Sequence, residues 1–178
     1  MTAPPRRVVF VAPSLGQGGA DRVVASWLTH LDRQHFAPEL VLLRAGAIEH
    51  EVPADVPVRR LRAERIRTAM PALVAELVGQ RPQVVVSMYS GVNAVLAGAH
   101  VLARSTARLI VSERTTLTRA DWSPARNRLE PLVKRLAYRR ADAIIVPSHG
   151  LARQLVAQLH LPAGRVTVVP NPVVDDDV

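Results

Sequence analysis

Val8-Val9-Phe10-Val11-Ala12-Pro13-Ser14-Leu15-Gly16-Gln17-Gly18-Gly19-Ala20-Asp21-Arg22 is the stretch whose reading decides the fold. Its apolar opening, residues 8–12, reads as a buried strand of a parallel sheet. A glycine-rich turn follows, and an apolar-periodic run begins near Gly19. A strand feeding such a turn and a helix start aims free backbone N–H groups and the positive helix end at one point, where a phosphate is stabilised. The alternative is that Gly16, Gly18 and Gly19 merely permit a tight turn, and these letters alone leave both readings open. From Gly16 the spacing is Gly-x-Gly-x-x-Asp, which lacks the third glycine of a dinucleotide fingerprint. The acid that would hold a ribose is also missing: the second strand, residues 38–43, ends in Arg44, with Glu39 at its start. A nicotinamide cofactor therefore fits poorly.

The rest of the chain alternates in the same way. Residues 20–31 place Val23, Val24, Trp27, Leu28 and Leu31 at helical spacing. Strands are expected at 36–43, 56–61, 83–88, 108–112, 143–146 and 165–169. Helices are expected at 66–78, where Pro71 either kinks or starts the helix, at 92–102, from Ser123-Pro124 to about Arg140, and at 150–159 behind a Ser148 cap. This pattern predicts an α/β fold, a doubly wound Rossmann-like parallel sheet of about seven strands in a single domain. Ligands then bind at the carboxyl ends of the strands, near residues 16–19, 89–91, 113–118 and 147–150.

Composition narrows the partners. With 178 residues and 48% hydrophobic residues the chain buries a real core, and no window approaches the length of a spanning helix. The absence of cysteine removes disulfides and thiolate chemistry and fits a reducing compartment. The six histidines lack a paired ligand spacing, so no metal site is expected. The formal charge of +8 rests on arginine, since Lys134 is the only lysine. Such a balance favours phosphates, nucleotide sugars or anionic lipid surfaces. Nucleic acid is not expected, because aromatics make up only 3% and no nucleic-acid-binding motif is present. The basic residues form two blocks, 59–67 and 126–140, read either as a solvated face or as a surface for an anionic membrane.

Four separated segments carry a resemblance. Phe10-Val11-Ala12-Pro13 through Gly18-Gly19-Ala20-Asp21-Arg22-Val23 looks like a strand and Gly-Gly-Ala-Glu-Arg turn, with Asp21 in place of the usual Glu. Pro82-Gln83-Val84-Val85-Val86-Ser87, Arg140-Ala141-Asp142-Ala143-Ile144-Ile145-Val146-Pro147-Ser148 and Arg165-Val166-Thr167-Val168-Val169-Pro170-Asn171-Pro172-Val173 follow in order. Together they resemble the N-terminal domain of retaining glycosyltransferases of the two-Rossmann-domain (GT-B) architecture, in the group called glycosyl transferase family four. The resemblance covers essentially the whole chain. It implies a domain over residues 1–170, the start of an interdomain linker over 171–178, and a second, donor-binding domain outside this sequence, supplied in cis or in trans.

What the resemblance implies for the site is an acceptor-binding half of an enzyme that moves a sugar from a nucleotide-sugar donor to a glycan or lipid-linked acceptor, with no cofactor. Gly16, Gly18, Gly19 and Arg22 would face the donor phosphates. The loop where many family members place a histidine reads Ser112-Glu113-Arg114-Thr115-Thr116 here. Glu113 is the candidate acid/base group and Arg114 a candidate for an anion. The alternatives are a mutual Glu113–Arg114 ion pair or a solvated loop. Tyr89, Ser90, Asn93, Arg114, Thr115 and Ser148 are the acceptor candidates, with helix-start roles open for Asn93 and Ser148. The expected setting is cytoplasmic, peripheral at the inner face of the membrane, with the isolated chain inactive. Two competing readings are a non-catalytic binding module, or one chain of a two-chain transferase, and a sugar-nucleotide epimerase half of the same fold.

Overall fold

The computed structural model describes residues 4–46, 48–115 and 130–171. Its strands are β1 (Arg6–Ala12), β2 (Phe36–Leu42), β3 (Val58–Arg60), β4 (Val84–Ser87), β5 (Arg108–Ser112), β6 (Ala143–Val146) and β7 (Val166–Val168). They form one seven-stranded sheet in the order β3-β2-β1-β4-β5-β6-β7, and every pairing is parallel. The helices are α1 (Gly19–His30), α2 (Met70–Gln80), α3 (Ser90–Leu102), α4 (Glu130–Arg140) and α5 (His149–Leu159). The doubly wound Rossmann-like fold is thus as expected from the alternation, with element ends shifted by a residue or two except at α2, which begins at Met70 rather than Ile66. The expected opening of the fourth helix at Ser123-Pro124 lies outside the described residues.

Strand β1 shows why the sheet carries helices on both faces. Val9 and Val11 enter one core with Leu73 and Leu77 of α2, Leu96 of α3, Tyr138 of α4 and Leu155 of α5. Val8, Phe10 and Ala12 enter the other, with Val23, Val24 and Leu28 of α1. Alternate side chains of a strand point to opposite faces, so a strand buried on both sides must be apolar throughout. Each fully buried aliphatic side chain contributes about 1.5–3 kcal/mol, and truncating Leu96 or Leu155, both 0% exposed, to Ala is expected to cost about 2–5 kcal/mol.

The question left open at Pro71 resolves toward initiation. A 3-10 turn, Ile66–Ala69, leads into α2, and Pro71 sits in its first positions, where a missing N–H costs nothing. Helix α2 ends on Arg81 in the left-handed region, φ 45°, a conformation that suits glycine better. Small residues let α3 approach α2: a Cβ on Gly98 would lie 2.8 Å from the Met70 Cε.

At the opposite end of the sheet from the strand exits, charge is buried. Glu39, 7% exposed, accepts from Arg7 Nε at 2.7 Å and from Arg59 Nη2 at 2.6 Å. Arg59 also reaches Glu76 of α2 at 2.5 Å, and Arg7 donates to the Gln80 carbonyl at the α2 C-terminus at 2.6 Å. Burial alone raises the Glu39 carboxyl, but the two guanidinium groups outweigh it and hold its pKa below the ordinary value.

Candidate functional site

Strand order reverses between β1 and β4, so the loops leaving these two strands part and open a crevice at the carboxyl edge. The glycine turn supplies one wall. None of its glycines has a positive φ, so the turn needs space rather than unusual torsion. Gly18 is the extended N-cap of α1, and its N–H donates to Asp21 Oδ2 at 3.0 Å. A Cβ on Gly18 would sit 2.9 Å from that same oxygen, whereas a Cβ on Gly19 would meet nothing within 4 Å. Gly18 therefore makes room for an internal carboxylate, and Gly19 leaves an open surface. Gly16 is half-buried, with its Cβ direction 3.8 Å from Asp21 Oδ2. Arg22 is exposed, with no side-chain partner among the described residues.

Tyr89, in the short link from β4 to α3, supplies the other wall. Its hydroxyl donates to Asp21 Oδ1 in a short hydrogen bond that ties the two walls together. Burial and then the Asp21 carboxylate raise the Tyr89 pKa, so the phenol stays protonated as a donor. Asp21, read from the sequence only as the opening of a helix, is thus the pivot of the crevice.

Behind the walls lies a buried polar cluster. Glu113, the first residue after β5, is 1% exposed. Its Oε2 accepts from Lys134 Nζ at 2.6 Å and from the Tyr138 hydroxyl at 2.7 Å, both on α4. Its Oε1 accepts the backbone N–H groups of Arg114 and Thr115, each at 3.2 Å. The Lys134 ammonium also lies 5.6 Å from the Tyr138 ring centroid. Asn93, 0% exposed, donates to the Ser112 carbonyl and to the Tyr138 oxygen, both at 2.9 Å. Burial raises the Tyr138 pKa, and the Glu113 carboxylate raises it further.

Glu113 therefore pairs with Lys134 rather than with Arg114, and it is a buried group rather than part of a solvated loop. Arg114 itself turns the other way. It donates to Asn171 Oδ1, beyond β7, and its Nη2 lies 3.8 Å from Met88 Sδ. Its Nε is buried without a hydrogen-bond partner among the described residues, as are Asn93 Oδ1 and Ser112 Oγ. Burial lowers the Arg114 pKa from its very high ordinary value. Arg114 and Tyr89 interact electrostatically, so the β4 and β5 exits share one field. Thr115 is exposed. Ser148 is exposed and caps α5, its Oγ accepting from Leu151 N at 3.3 Å. No hydrogen bond joins Ser148 to the crevice residues among those described.

Reading the sequence alone missed Lys134, Tyr138 and Asn171 as partners in this region. The one available signal was Lys134, a lone lysine among arginines, but its position placed it with the cationic block. A further group escaped notice. Ile48 bridges Leu15 and the Glu49 N–H donates to the Leu15 carbonyl at 2.8 Å, which brings the His50 segment beside the glycine turn. His50 Nε2 is buried with no partner among the described residues. Those residues contain no group of three potential metal ligands, and none of their helices is long and apolar enough to cross a membrane.

No curated protein sequence matches the chain significantly. Among solved structures it is similar to the apo form of the lipopolysaccharide outer core galactosyltransferase WaaB, with TM-score 0.71 and 14% identity, over 97% of this chain and 47% of that one. The Anabaena protein HepE in complex with UDP-glucose gives TM-score 0.72 and 17% identity, over 94% and 44%. UDP-N-acetylglucosamine 2-epimerase from Rickettsia bellii gives 0.66 and 14%, over 94% and 45%. The chain thus spans less than half the length of these structures and has the fold of one half of a GT-B protein. The model of Glycosyltransferase Family 4 matches residues 17–177, and the chain belongs to that family.

Proposed function

We propose that this chain is the acceptor-side half of a retaining glycosyltransferase that transfers a sugar from a nucleotide-sugar donor to a glycan or lipid-linked acceptor. The observation that carries the reading is the crevice at the strand reversal, where the glycine turn, Tyr89 and Arg114 meet in a family of glycosyltransferases. In such a transfer the bond from the anomeric carbon to the donor diphosphate breaks and a bond to the acceptor oxygen forms. The acceptor proton leaves with the diphosphate. Two demands follow: the leaving charge must be stabilised, and the hydroxyl must be held against the anomeric carbon.

Gly19 and Arg22 are assigned to the donor phosphates, with Gly16 and Gly18 shaping the turn, since the Gly18 N–H is taken by Asp21. Tyr89, Arg114 and Thr115 are assigned to the acceptor, with Ser148 at the crevice rim. Asn93 acts from within, through the Tyr138 cluster. For Glu113 we assign a positioning role: two of its hydrogen bonds hold the backbone N–H groups of Arg114 and Thr115, and the other two anchor it to Lys134 and Tyr138 of α4. A second domain, in the same or another chain, holds most of the donor. The HepE complex with UDP-glucose supports a uridine diphosphate sugar as the donor class. The setting proposed is the cytoplasmic face of a membrane. Leu132, Val133 and Leu136 of α4 are 49%, 50% and 56% exposed beside Arg135, Arg139 and Arg140, an apolar and basic face suited to anionic lipid. Lys134 and Arg59 do not belong to that surface, because carboxylates hold both.

Titration of UDP-glucose into the isotope-labelled chain tests the reading. Amide shifts should centre on Gly19 and Arg22 with a dissociation constant near or above about 1 mM, and no sugar should be transferred. Micromolar binding would contradict a donor held chiefly by another domain. Shifts confined to other strand exits would remove the donor assignment.

A further inference from the structure

On the α2–α3 side of the crevice lies an open cavity of about 600 Å³. Its rim carries Arg44, Arg65, Arg67 and Glu64, and its floor includes Ile66 and Gly91. The backbone that builds it is well fixed. The Arg44 N–H donates to the Pro13 carbonyl at 2.9 Å, which holds Arg44 beside the exit of β1. Beyond β3, Leu61 and Ala63 donate to the Leu42 and Leu43 carbonyls at 2.9 and 2.7 Å and carry the chain along β2 to the carboxyl edge. Thr68 Oγ1 then donates to the Arg65 carbonyl at 2.8 Å and pins the turn that presents Arg65 and Arg67. Gly91 lies against Ile66, where a Cβ would make an ordinary contact with Ile66 Cδ1 at 3.8 Å.

The described arginines are of two kinds, those that hold a carboxylate and those that do not. Arg7, Arg33 and Arg59 each hold a carboxylate. Arg44, Arg65 and Arg67 are exposed, and no carboxylate or hydrogen bond engages their guanidinium groups among the described residues. With Glu64 counted, the rim keeps a surplus of two positive charges. Three guanidinium groups held around one concavity repel each other until an anion enters, and their planar forks match phosphate oxygens bidentately. An apolar floor under a cationic rim fits an anion attached to a less polar body.

We propose that this cavity is an anion subsite that takes a phosphate or diphosphate group borne by the acceptor, with Arg44, Arg65 and Arg67 as its ligands. That the ligand is the acceptor rests on the function proposed above; that the cavity binds phosphate does not. The anion would dock here while the reacting hydroxyl reaches the neighbouring crevice.

The experiment is a titration of pyrophosphate, glucose 1-phosphate and glucose, separately, into the labelled full chain and into the Arg65→Gln/Arg67→Gln double variant. Thermal melting confirms that the variant is folded, which two exposed substitutions should leave unchanged. Pyrophosphate and glucose 1-phosphate should give saturable shifts at Ile66 and Gly91 that glucose does not give, and the double variant should weaken them at least about tenfold. Retention on phosphatidylcholine vesicles carrying undecaprenyl diphosphate, absent without that lipid and lost in the variant, identifies a lipid-linked source. Saturation by glucose 1-phosphate without such retention identifies a free sugar phosphate, and either result upholds the subsite. Shifts confined to Gly18, Gly19 and Arg22, shifts unmoved by the double substitution, or equal binding of glucose would overturn it. UDP-glucose shifts at the glycine turn, recorded on the same samples, read the functional proposal independently of this cavity.

Discussion

Glu39 and Glu113 are both buried carboxylates, both neutralised by bases from other elements, and they serve opposite ends of one sheet. Glu39 sits in the middle of β2 and joins β1, β2, β3 and α2; its arginine partners remain 36% and 29% exposed. Glu113 sits one residue past β5 at the carboxyl edge, with its lysine only 14% exposed and two of its bonds spent on loop backbone. The first ties scaffold to scaffold. The second ties scaffold to the segment that presents Arg114 and Thr115. Burial and pairing are therefore poor guides to function by themselves; the place along a parallel strand separates the two roles.

The sharpest way to break this comparison is to neutralise one member of each buried ion pair. Lys134→Met leaves the Glu113 charge enclosed and unpaired, and urea unfolding should show a loss of about 3–5 kcal/mol. The double variant Lys134→Met/Glu113→Gln should regain part of that loss, because no buried charge then remains. Glu39→Gln should cost less, about 2 kcal/mol, since Arg7 and Arg59 can turn toward water. A larger loss at Glu39 than at Glu113 would reverse the assignment of the tighter enclosure.

The pH dependence sharpens the same contrast. The folded Glu39 carboxyl has its pKa lowered from 4.5, so its contribution is full above that value and is lost as pH falls through the lower folded one. Between about pH 5 and pH 3 the wild-type stability should thus fall more steeply than that of Glu39→Gln. Parallel curves would show that the pairing of Glu39 with Arg7 and Arg59 does not hold in solution.

Two smaller effects concern the edges. Gly18→Ala should cost about 1 kcal/mol by displacing Asp21, whereas Gly19→Ala should be neutral or stabilising by up to about 1 kcal/mol. If Gly19→Ala nevertheless weakens the UDP-glucose response, a ligand approaches that backbone. Smallest of all, Arg81→Gly should stabilise by about 0.5–1 kcal/mol, because it relieves a left-handed cap that touches neither carboxylate.

The fold was legible because its signals are local. The apolar run at residues 8–12, the glycines after it and the Ser148 cap each act within a few neighbours, and the parallel sheet follows from their alternation. The crevice was legible only in outline. Tyr89 meets Asp21 across 68 positions of sequence, and Arg114 meets Asn171 across 57, through register that no periodicity encodes. Glu113 in particular reads as a polar loop residue. Its burial is set by α4, whose Lys134 and Tyr138 are placed by the packing of that helix against α3. Likewise Arg59 and Lys134 count as free positive charge in a composition and as neutralised charge in the fold.

The pairing of Lys134 has a practical consequence. It carries the only side-chain amine in the chain, and that amine is turned inward against a carboxylate and a phenol ring. An amine-directed acylating reagent must wait for the helix to part from the β5 exit before it can modify this side chain. The rate of that single modification, followed by mass spectrometry, is therefore a clock for opening of the acceptor-side loop. A ligand that clamps the loop should slow the clock, and one that pries it open should speed it.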